Sequence, residues 1–244
     1  MIGPFACNVS LLRGLSHRFV PFYTPRAMEP RKIRAIIYDF DDTIVESERI
    51  NDALFSAMLR TDYGLHLTQN ELDVLYGFSW SGVFEWLAEN KGFRRTLREV
   101  WGAFVEKKRD YLKDHTLRVA AGFDRMLSLP VPQAIVSGST RAEIDLMMTN
   151  IGLAADSVSL ILSDEDCTRG KPDPQGFLMA LDALKADAGE AVVFEDSPAG
   201  IQAARAAGIT AAFVSELASR NSARLADLRF ASFREAYSWV ASRI

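Results

Sequence analysis

Acidic side chains are crowded behind one short apolar run, and their type and spacing suit the binding of a divalent cation. The run occupies residues 36–38, and the acidic residues that follow it are Asp39, Asp41, Asp42, Glu46 and Glu48. Carboxylates this dense repel one another and are costly to place at the edge of a core. Hard cations prefer oxygen ligands, and Mg²⁺ takes a few carboxylates while it keeps waters and substrate oxygens. A bound Mg²⁺ would explain why these carboxylates are gathered.

Other polar groups lie next to later apolar runs. They are the stretch Ser137-Gly138-Ser139-Thr140, the stretch Glu195-Asp196-Ser197, and Lys171 in a loop that contains Pro172 and Pro174. In open α/β sheets the functional groups gather beyond the carboxyl ends of the strands. We therefore expect carboxylates, hydroxyls, backbone amides and one ammonium to meet at the same end of a sheet.

The elements that must position these groups are short buried strands alternating with helices. Apolar runs without clean alternation predict strands at 33–39, 133–137, 158–162, 191–195 and 210–214, because strands covered on both faces read in this way. Apolar residues recur at helical spacing between the later runs, over 144–151, 177–184 and 201–207. This alternation predicts the α/β class, with a Rossmann-like parallel sheet and helices on both faces.

Residues 49–117 break the alternation, because they show helical periods only. We interpret them as a helical module inserted after the first strand; the alternative is that these helices pack directly on the sheet. The predicted organisation is a leader over 1–30, an α/β core formed by 31–47 and 118–244, and a helical cap over 48–117.

Composition excludes several classes of function. The net charge is −4, from 28 basic and 32 acidic residues, so the composition lacks the excess of basic residues that is typical of nucleic-acid-binding proteins. The two cysteines form no CxxC pair and the three histidines are scattered, so a disulfide framework and a histidine zinc site are not expected. The chain has no apolar stretch of membrane-spanning length, and we expect a cytoplasmic protein, either a monomer or a weak homodimer.

The first 28 residues contain three arginines and no acidic residue. This composition is typical of an organelle-targeting peptide. The alternatives are a flexible leader, or an upstream start with Met28 as the working initiator.

Four motifs in order carry a resemblance to a known family. The set D-F-D-D-T, V-S-G-S-T, G-K-P-D-P and F-E-D-S-P-A-G-I resembles the haloacid dehalogenase superfamily of phosphohydrolases. It is most similar to the branch with a helical cap after strand one, which contains sugar-phosphate phosphatases, phosphoglycolate phosphatases and β-phosphoglucomutase. The resemblance extends from about residue 33 to about residue 214.

The resemblance implies a Mg²⁺-dependent phosphatase that forms an aspartyl-phosphate on a small phosphorylated metabolite. Asp39 resembles the nucleophile, and Asp41 resembles the general acid–base that serves the leaving group and then the water. The carboxylates of Asp39 and Asp196, with the backbone carbonyl of Asp41, would hold Mg²⁺. Glu195 would support the ion directly or through water.

The same resemblance implies a site for the transferring phosphoryl group. Its ligands would be Ser137, the amides of Gly138 and Ser139, and Lys171, which would neutralise charge beside the nucleophile. Arg141, one turn into the next helix, would contact a substrate anion or else be a surface residue.

Two positions depart from the usual family pattern, and neither removes a reacting group. Asp42 stands where glycine is usual, and Glu46 stands where aspartate is usual. Aspartate tolerates a left-handed backbone better than most residues, so the turn after the first strand is expected to form.

Alternative functions stay open at this point. In the mutase a cap-loop arginine grips a second phosphate, whereas the matching region here has Phe78, Ser79 and Trp80; a phosphatase is therefore preferred and a phosphomutase comes second. A dehalogenase would not need Asp41 or Asp196. A receiver-type signalling domain lacks a helical insertion of this kind, and a non-catalytic phosphate-binding module is the alternative from a different class.

Overall fold

The computed structural model describes residue 30 and the ranges 32–75, 80–218 and 222–244. The predicted leader, apart from residue 30, and the cap-loop residues Phe78 and Ser79 lie outside this description. In the described part of the chain, no helix combines the length and the apolar character needed to cross a membrane.

A six-stranded parallel sheet forms the centre of the fold, in the order β3-β2-β1-β4-β5-β6. Its strands are β1 (Ala35–Tyr38), β2 (Gln133–Val136), β3 (Leu160–Leu162), β4 (Ala191–Glu195), β5 (Thr210–Val214) and β6 (Leu228–Phe230). The chain leaves β1 for β2 on one side, and β4 pairs with β1 on the other. Ligands bind at such a switch in strand order, outside the carboxyl ends. The predicted fold class is confirmed, and β6 is an addition that the sequence did not predict.

The helices that the described residues form are α1 (Glu48–Tyr63), α2 (Gln69–Leu75), α3 (Trp80–Lys91), α4 (Leu97–Asp114), α5 (Phe123–Leu127), α6 (Arg141–Asn150), α7 (Gln175–Leu184), α8 (Pro198–Ala206) and α9 (Phe233–Ala241). Strand β1 shows how they cover both faces of the sheet. Ile36 and Tyr38 join the cluster that contains residues of α5, α6 and α9, and Ile37 joins the cluster that contains residues of α7 and α8. Successive side chains of a strand point to opposite faces, so an unbroken apolar run is what a doubly covered strand needs.

Helices α1–α4, the cap helices, have a hydrophobic cluster of their own. Its buried members include Phe55, Met58, Phe84, Leu87 and Phe104. An amphipathic helix must bury its apolar face against another element, and here these helices bury those faces against one another. The domain boundaries drawn from the sequence stay a prediction.

The turn after β1 has the left-handed backbone that glycine usually provides. Asp42 adopts a φ of 53°, and its Oδ1 accepts hydrogen bonds from the backbone amides of Ser47 and Glu48. The aspartate at this position therefore also ties the start of α1 to the end of β1.

Candidate active site

The ends of three neighbouring strands meet around the ammonium of Lys171. Its Nζ lies 2.6 Å from Oδ1 of Asp39 and 2.6 Å from Oε1 of Glu195, and it donates to the carbonyl of Val136 at 3.1 Å. These partners follow β1, end β4 and end β2, respectively. Burial acts to lower the pKa of Lys171, but Asp39 and Glu195 outweigh it and hold the pKa above its usual range. Lys171 is therefore a fixed positive charge beside the predicted nucleophile.

Three carboxylates at this point could share one cation. Asp39, Glu195 and Asp196 are all buried, and each offers an oxygen within 4.8 Å of the others. Neighbouring ligands of an octahedral Mg²⁺ lie about 3 Å apart, so small side-chain rotations would let Asp39 and Asp196 bind one ion. The donor set fits Mg²⁺, because oxygen ligands are what this cation prefers.

Glu195 differs from the other two carboxylates because protein donors already engage both of its oxygens. Oε1 accepts from Lys171, and Oε2 accepts from the amide and the hydroxyl of Ser197 at 2.8 and 2.9 Å. Gly200 packs so closely that an added Cβ would lie 1.6 Å from Oε1 of Glu195. Gly200, the glycine of the fourth motif, thus leaves room for this side chain. Because both oxygens of Glu195 are already engaged, the contacts favour support of Mg²⁺ through a water molecule over direct coordination by Glu195.

Burial and mutual repulsion raise the pKa of Asp39 and of Asp196 when no divalent cation is bound. Burial raises the pKa of Asp39 to about 8; Lys171 opposes this shift, and Glu195 and Asp41 add to it. Burial, followed by Glu195 and Asp39, also raises the pKa of Asp196. A bound cation would reverse this balance, since it favours the ionised forms.

These shifts predict a pH dependence of stability that Mg²⁺ changes. The raised pKa of Asp39 stabilises the metal-free fold fully below its ordinary value of 3.8, and this contribution is lost as pH rises to about 8. Mg²⁺ competes with these protons, so it should stabilise the protein more at pH 8 than at pH 6. At 100 times its Kd the gain is about 2.7 kcal/mol.

Thermal unfolding with EDTA and with Mg²⁺ at both pH values measures the effect. Asp196→Asn serves as the comparison, because it removes a proposed ligand and should lose most of the Mg²⁺ response. A larger response at pH 6, or an undiminished response in Asp196→Asn, would contradict this account of the carboxylates.

Three hydroxyl groups hold the side chain of Asp41. Its Oδ1 accepts from Ser47 Oγ at 2.6 Å, and its Oδ2 accepts from Ser137 Oγ at 3.0 Å and Ser139 Oγ at 2.8 Å. Ser137 Oγ also accepts the amide of Ser139. The turn after β2 and the proposed acid–base are thus already connected, and Gly138 lines the cavity beside them.

A cavity of about 830 Å³ opens between these strand ends and the cap helices. From the core it is lined by Asp39, Asp41, Gly138, Ser139, Thr140, Asp164, Gly170, Lys171, Asp196, Ser197, Pro198 and Ala199. From the cap helices it is lined by Glu48, Asn51, Trp80, Leu97, Arg98, Trp101 and Gly102. Its size lies within the range of small-molecule sites.

Sequence reasoning named Glu48 in the acidic cluster without giving it a role, and it missed Asn51 and Arg98 of the cap helices. Asn51 follows Glu48 by three residues and shares its face at the start of α1, which is the only signal that the sequence offered for Asn51. Burial, followed by the charges of Asp41 and Asp42, raises the pKa of Glu48 to about 8. Arg98 had no signal, since it is one of several arginines between 94 and 98.

The structure does not bring Arg141 into the site. Its Nε lies 3.3 Å from Asp145 one turn along α6, and it donates to the carbonyl of Ile161 at 3.2 Å. Arg141 is absent from the residues that line the cavity. These contacts hold the Arg141 side chain against Asp145 and against β3. Contact of Arg141 with a substrate anion stays a prediction, and these contacts do not support it.

Comparison with known proteins decides the family. The sequence profile of the haloacid dehalogenase-like hydrolases matches residues 36–214. The chain belongs to this family. The resemblance carried by the four motifs is thus confirmed.

Two curated relatives of this hydrolase are phosphatases. It is 27% identical over 188 residues to validoxylamine A 7′-phosphate phosphatase of Streptomyces hygroscopicus subsp. limoneus, covering 72% of this chain and 83% of the relative. It is 26% identical over 183 residues to phosphoglycolate phosphatase of Neisseria meningitidis, covering 72% and 77%. A crystal structure of CbbY from Rhodobacter sphaeroides in complex with phosphate shares the fold, with a TM-score of 0.75, 19% identity and coverage of 83% and 96%.

Proposed function

We propose that this phosphoric monoester hydrolase removes phosphate from a small metabolite, of the sugar-phosphate or phosphoglycolate type, through an aspartyl-phosphate on Asp39. The observation that carries the proposal is the meeting of Asp39, Glu195 and Asp196 around Lys171. It supplies a nucleophile, a fixed cation and ligands for a divalent ion in one place.

In the first step an oxygen of Asp39 attacks phosphorus, and the bond between phosphorus and the leaving oxygen breaks. Lys171 holds Oδ1 of Asp39, so Oδ2 is the proposed nucleophile. Asp41 gives its proton to the leaving alkoxide. In the second step Asp41 takes a proton from water, the water oxygen attacks phosphorus, and inorganic phosphate and the carboxylate of Asp39 are released.

The turn after β2 would hold the transferring phosphoryl group. Ser137 and Ser139 now donate their hydroxyls to Asp41, and a phosphoryl oxygen would take over these donors together with the amide of Gly138. Lys171 offsets the negative charge that develops on the phosphoryl oxygens. All these groups act on one charge at the same end of the sheet.

The carboxylates of Asp39 and Asp196, with the backbone carbonyl of Asp41, would hold Mg²⁺, and Glu195 would support it through water. When bound, Mg²⁺ supplies positive charge that offsets the repulsion between the nucleophile and the phosphoryl oxygens. Thr43 donates to Oδ1 of Asp196 at 3.2 Å and would orient that ligand.

One observation keeps a phosphomutase as the second candidate. Arg98 of α4 lines the cavity, and in the part of the chain that the structure describes it forms no salt bridge. It could receive a second anionic group from the side of the cap helices, as a mutase substrate would require.

A panel of phosphorylated metabolites with and without Mg²⁺ tests the proposed function. We expect Mg²⁺-dependent release of inorganic phosphate from at least one sugar phosphate or from phosphoglycolate. The panel includes hexose 1-phosphates with a catalytic amount of the bisphosphate. Isomerisation without phosphate release would favour a phosphomutase over a phosphatase. No turnover of any compound in the panel would favour a non-catalytic phosphate-binding module.

A further inference from the structure

A buried ion pair lies outside the reacting cluster and has no part in the steps above. Lys108 Nζ lies 3.3 Å from Glu143 Oε1, and the side chains of both residues are 0% exposed. Neither residue lines the cavity. Such a pair adds little to the stability of a fold, because the free-energy cost of removing both charges from water cancels much of their attraction. Apolar side chains of similar size would stabilise the fold as well.

The pair joins a cap helix to the turn that would hold phosphate. Lys108 belongs to α4, and Glu143 belongs to the first turn of α6, directly after the Ser137–Thr140 turn. Oε2 of Glu143 accepts hydrogen bonds from the amide and the hydroxyl of Thr140, at 3.3 and 3.0 Å. One carboxylate therefore links the ammonium of Lys108 to the last residue of that turn.

A second contact connects the same two elements. Trp101 Nε1 donates to Thr140 Oγ1 at 3.4 Å, and Trp101 precedes Lys108 by two helical turns of α4. Trp101 and Thr140 both line the cavity. Helix α4 thus meets Thr140 once directly and once through Glu143.

We infer that Lys108 is a positioning residue, which acts through Glu143 to fix how α4 packs on α6. The packing of these two helices would in turn fix where the Ser137–Thr140 turn lies relative to Asp39. This inference rests on the proposed function. A buried charged pair is directional and permits one arrangement, whereas apolar surfaces can slide past one another. Setting a unique arrangement is the best attested use of such pairs.

The test compares Lys108→Met, Glu143→Gln and the double variant with wild type. Glutamine keeps an oxygen for Thr140, so the helix cap is retained. Lys107→Met is the matched control, because Lys107 pairs with Asp62 of α1 and both side chains are partly exposed. The readouts are kcat and KM with 4-nitrophenyl phosphate, the thermal unfolding midpoint, and the Kd of inorganic phosphate by titration calorimetry with Mg²⁺.

We expect the double variant to unfold cooperatively at a midpoint no lower than that of wild type, because no uncompensated charge is buried. Its kcat should still fall about 10²-fold, the cost of a small misplacement of catalytic groups. Its phosphate Kd should rise about tenfold, as expected for misaligned hydrogen bonds to a charged ligand. Lys107→Met should match wild type in all three measurements.

Wild-type kcat and phosphate Kd in the double variant would overturn the inference, since the pair would then only fasten two helices. Loss of cooperative unfolding in the double variant would also overturn it, because the pair would be required for folding itself. If wild type hydrolyses no ester, the proposed function fails, and the phosphate titration alone still decides whether the pair positions the turn.

Discussion

Asp39→Asn is expected to reduce kcat by about 10⁶-fold, the order of loss for removing the nucleophile of covalent catalysis. The amide cannot form the aspartyl-phosphate, and no other carboxylate among the described residues lies within salt-bridge distance of Lys171 except Glu195. The fold should survive the change. Burial already favours the uncharged form of Asp39, and asparagine has the same shape.

The measurement is phosphate release from the best substrate of the panel, together with the thermal unfolding midpoint. Asp182→Asn is the control, because Asp182 is an exposed residue of α7 whose side chain is 90% accessible. It should leave kcat unchanged. Activity of Asp39→Asn within tenfold of wild type would remove Asp39 from the chemistry, provided that the midpoint shows a folded protein.

Asp41→Asn is expected to give the second largest effect, a loss of about 10²- to 10⁴-fold in kcat for a metabolite whose leaving group needs a proton. The two steps should respond differently with 4-nitrophenyl phosphate, because nitrophenolate leaves without protonation. Phosphoryl transfer to Asp39 should then stay fast, while hydrolysis of the intermediate slows for lack of a base.

Stopped-flow absorbance would show this as a burst of nitrophenolate of one equivalent per enzyme, followed by slow turnover. Ser47→Ala offers a milder comparison, since it removes one of the three hydroxyls that hold Asp41. Asp41→Asn with no burst and equal losses for both substrates would argue against a role in proton transfer.

The position of Asp39 and Glu195, the first a proposed reacting group, could be predicted because it depends on strand ends alone. Strand β4 is observed at its predicted bounds, Ala191–Glu195, and Asp39 directly follows β1. Parallel strands bring their carboxyl ends to one edge of the sheet, so residues far apart in sequence converge without any knowledge of side-chain packing. The last strand, β6, was missed because only Phe230 of its three residues is buried, and its central residue, Arg229, is exposed.

The cap contribution could not be predicted, because it depends on how four helices fold back over the strand ends. Glu48 and Arg98 come from different helices and line one cavity, and no local pattern relates them. The contacts of Arg141 with Asp145 and Ile161 could not be predicted either, because the second of them joins α6 to β3 and depends on the fold.

The burial of Lys108 could be predicted from the sequence only in part. Within the stretch E-K-K-R-D it looks like one of several solvated charges. However, the buried residues Val100, Phe104, Lys108 and Leu112 recur every four positions along α4. A lysine on the apolar stripe of a helix must find a partner, and this spacing was the signal for a buried ion pair.

We expect Asp39 to carry the phosphoryl group between the two steps. The most direct test is a rapid acid quench of Asp41→Asn with 4-nitrophenyl phosphate and Mg²⁺, followed by peptide mass spectrometry. We expect one phosphoryl group on the peptide that contains Asp39, with the modification on that residue. A nitrophenolate burst with no phosphoryl group on Asp39, or with the group on another residue, would contradict it.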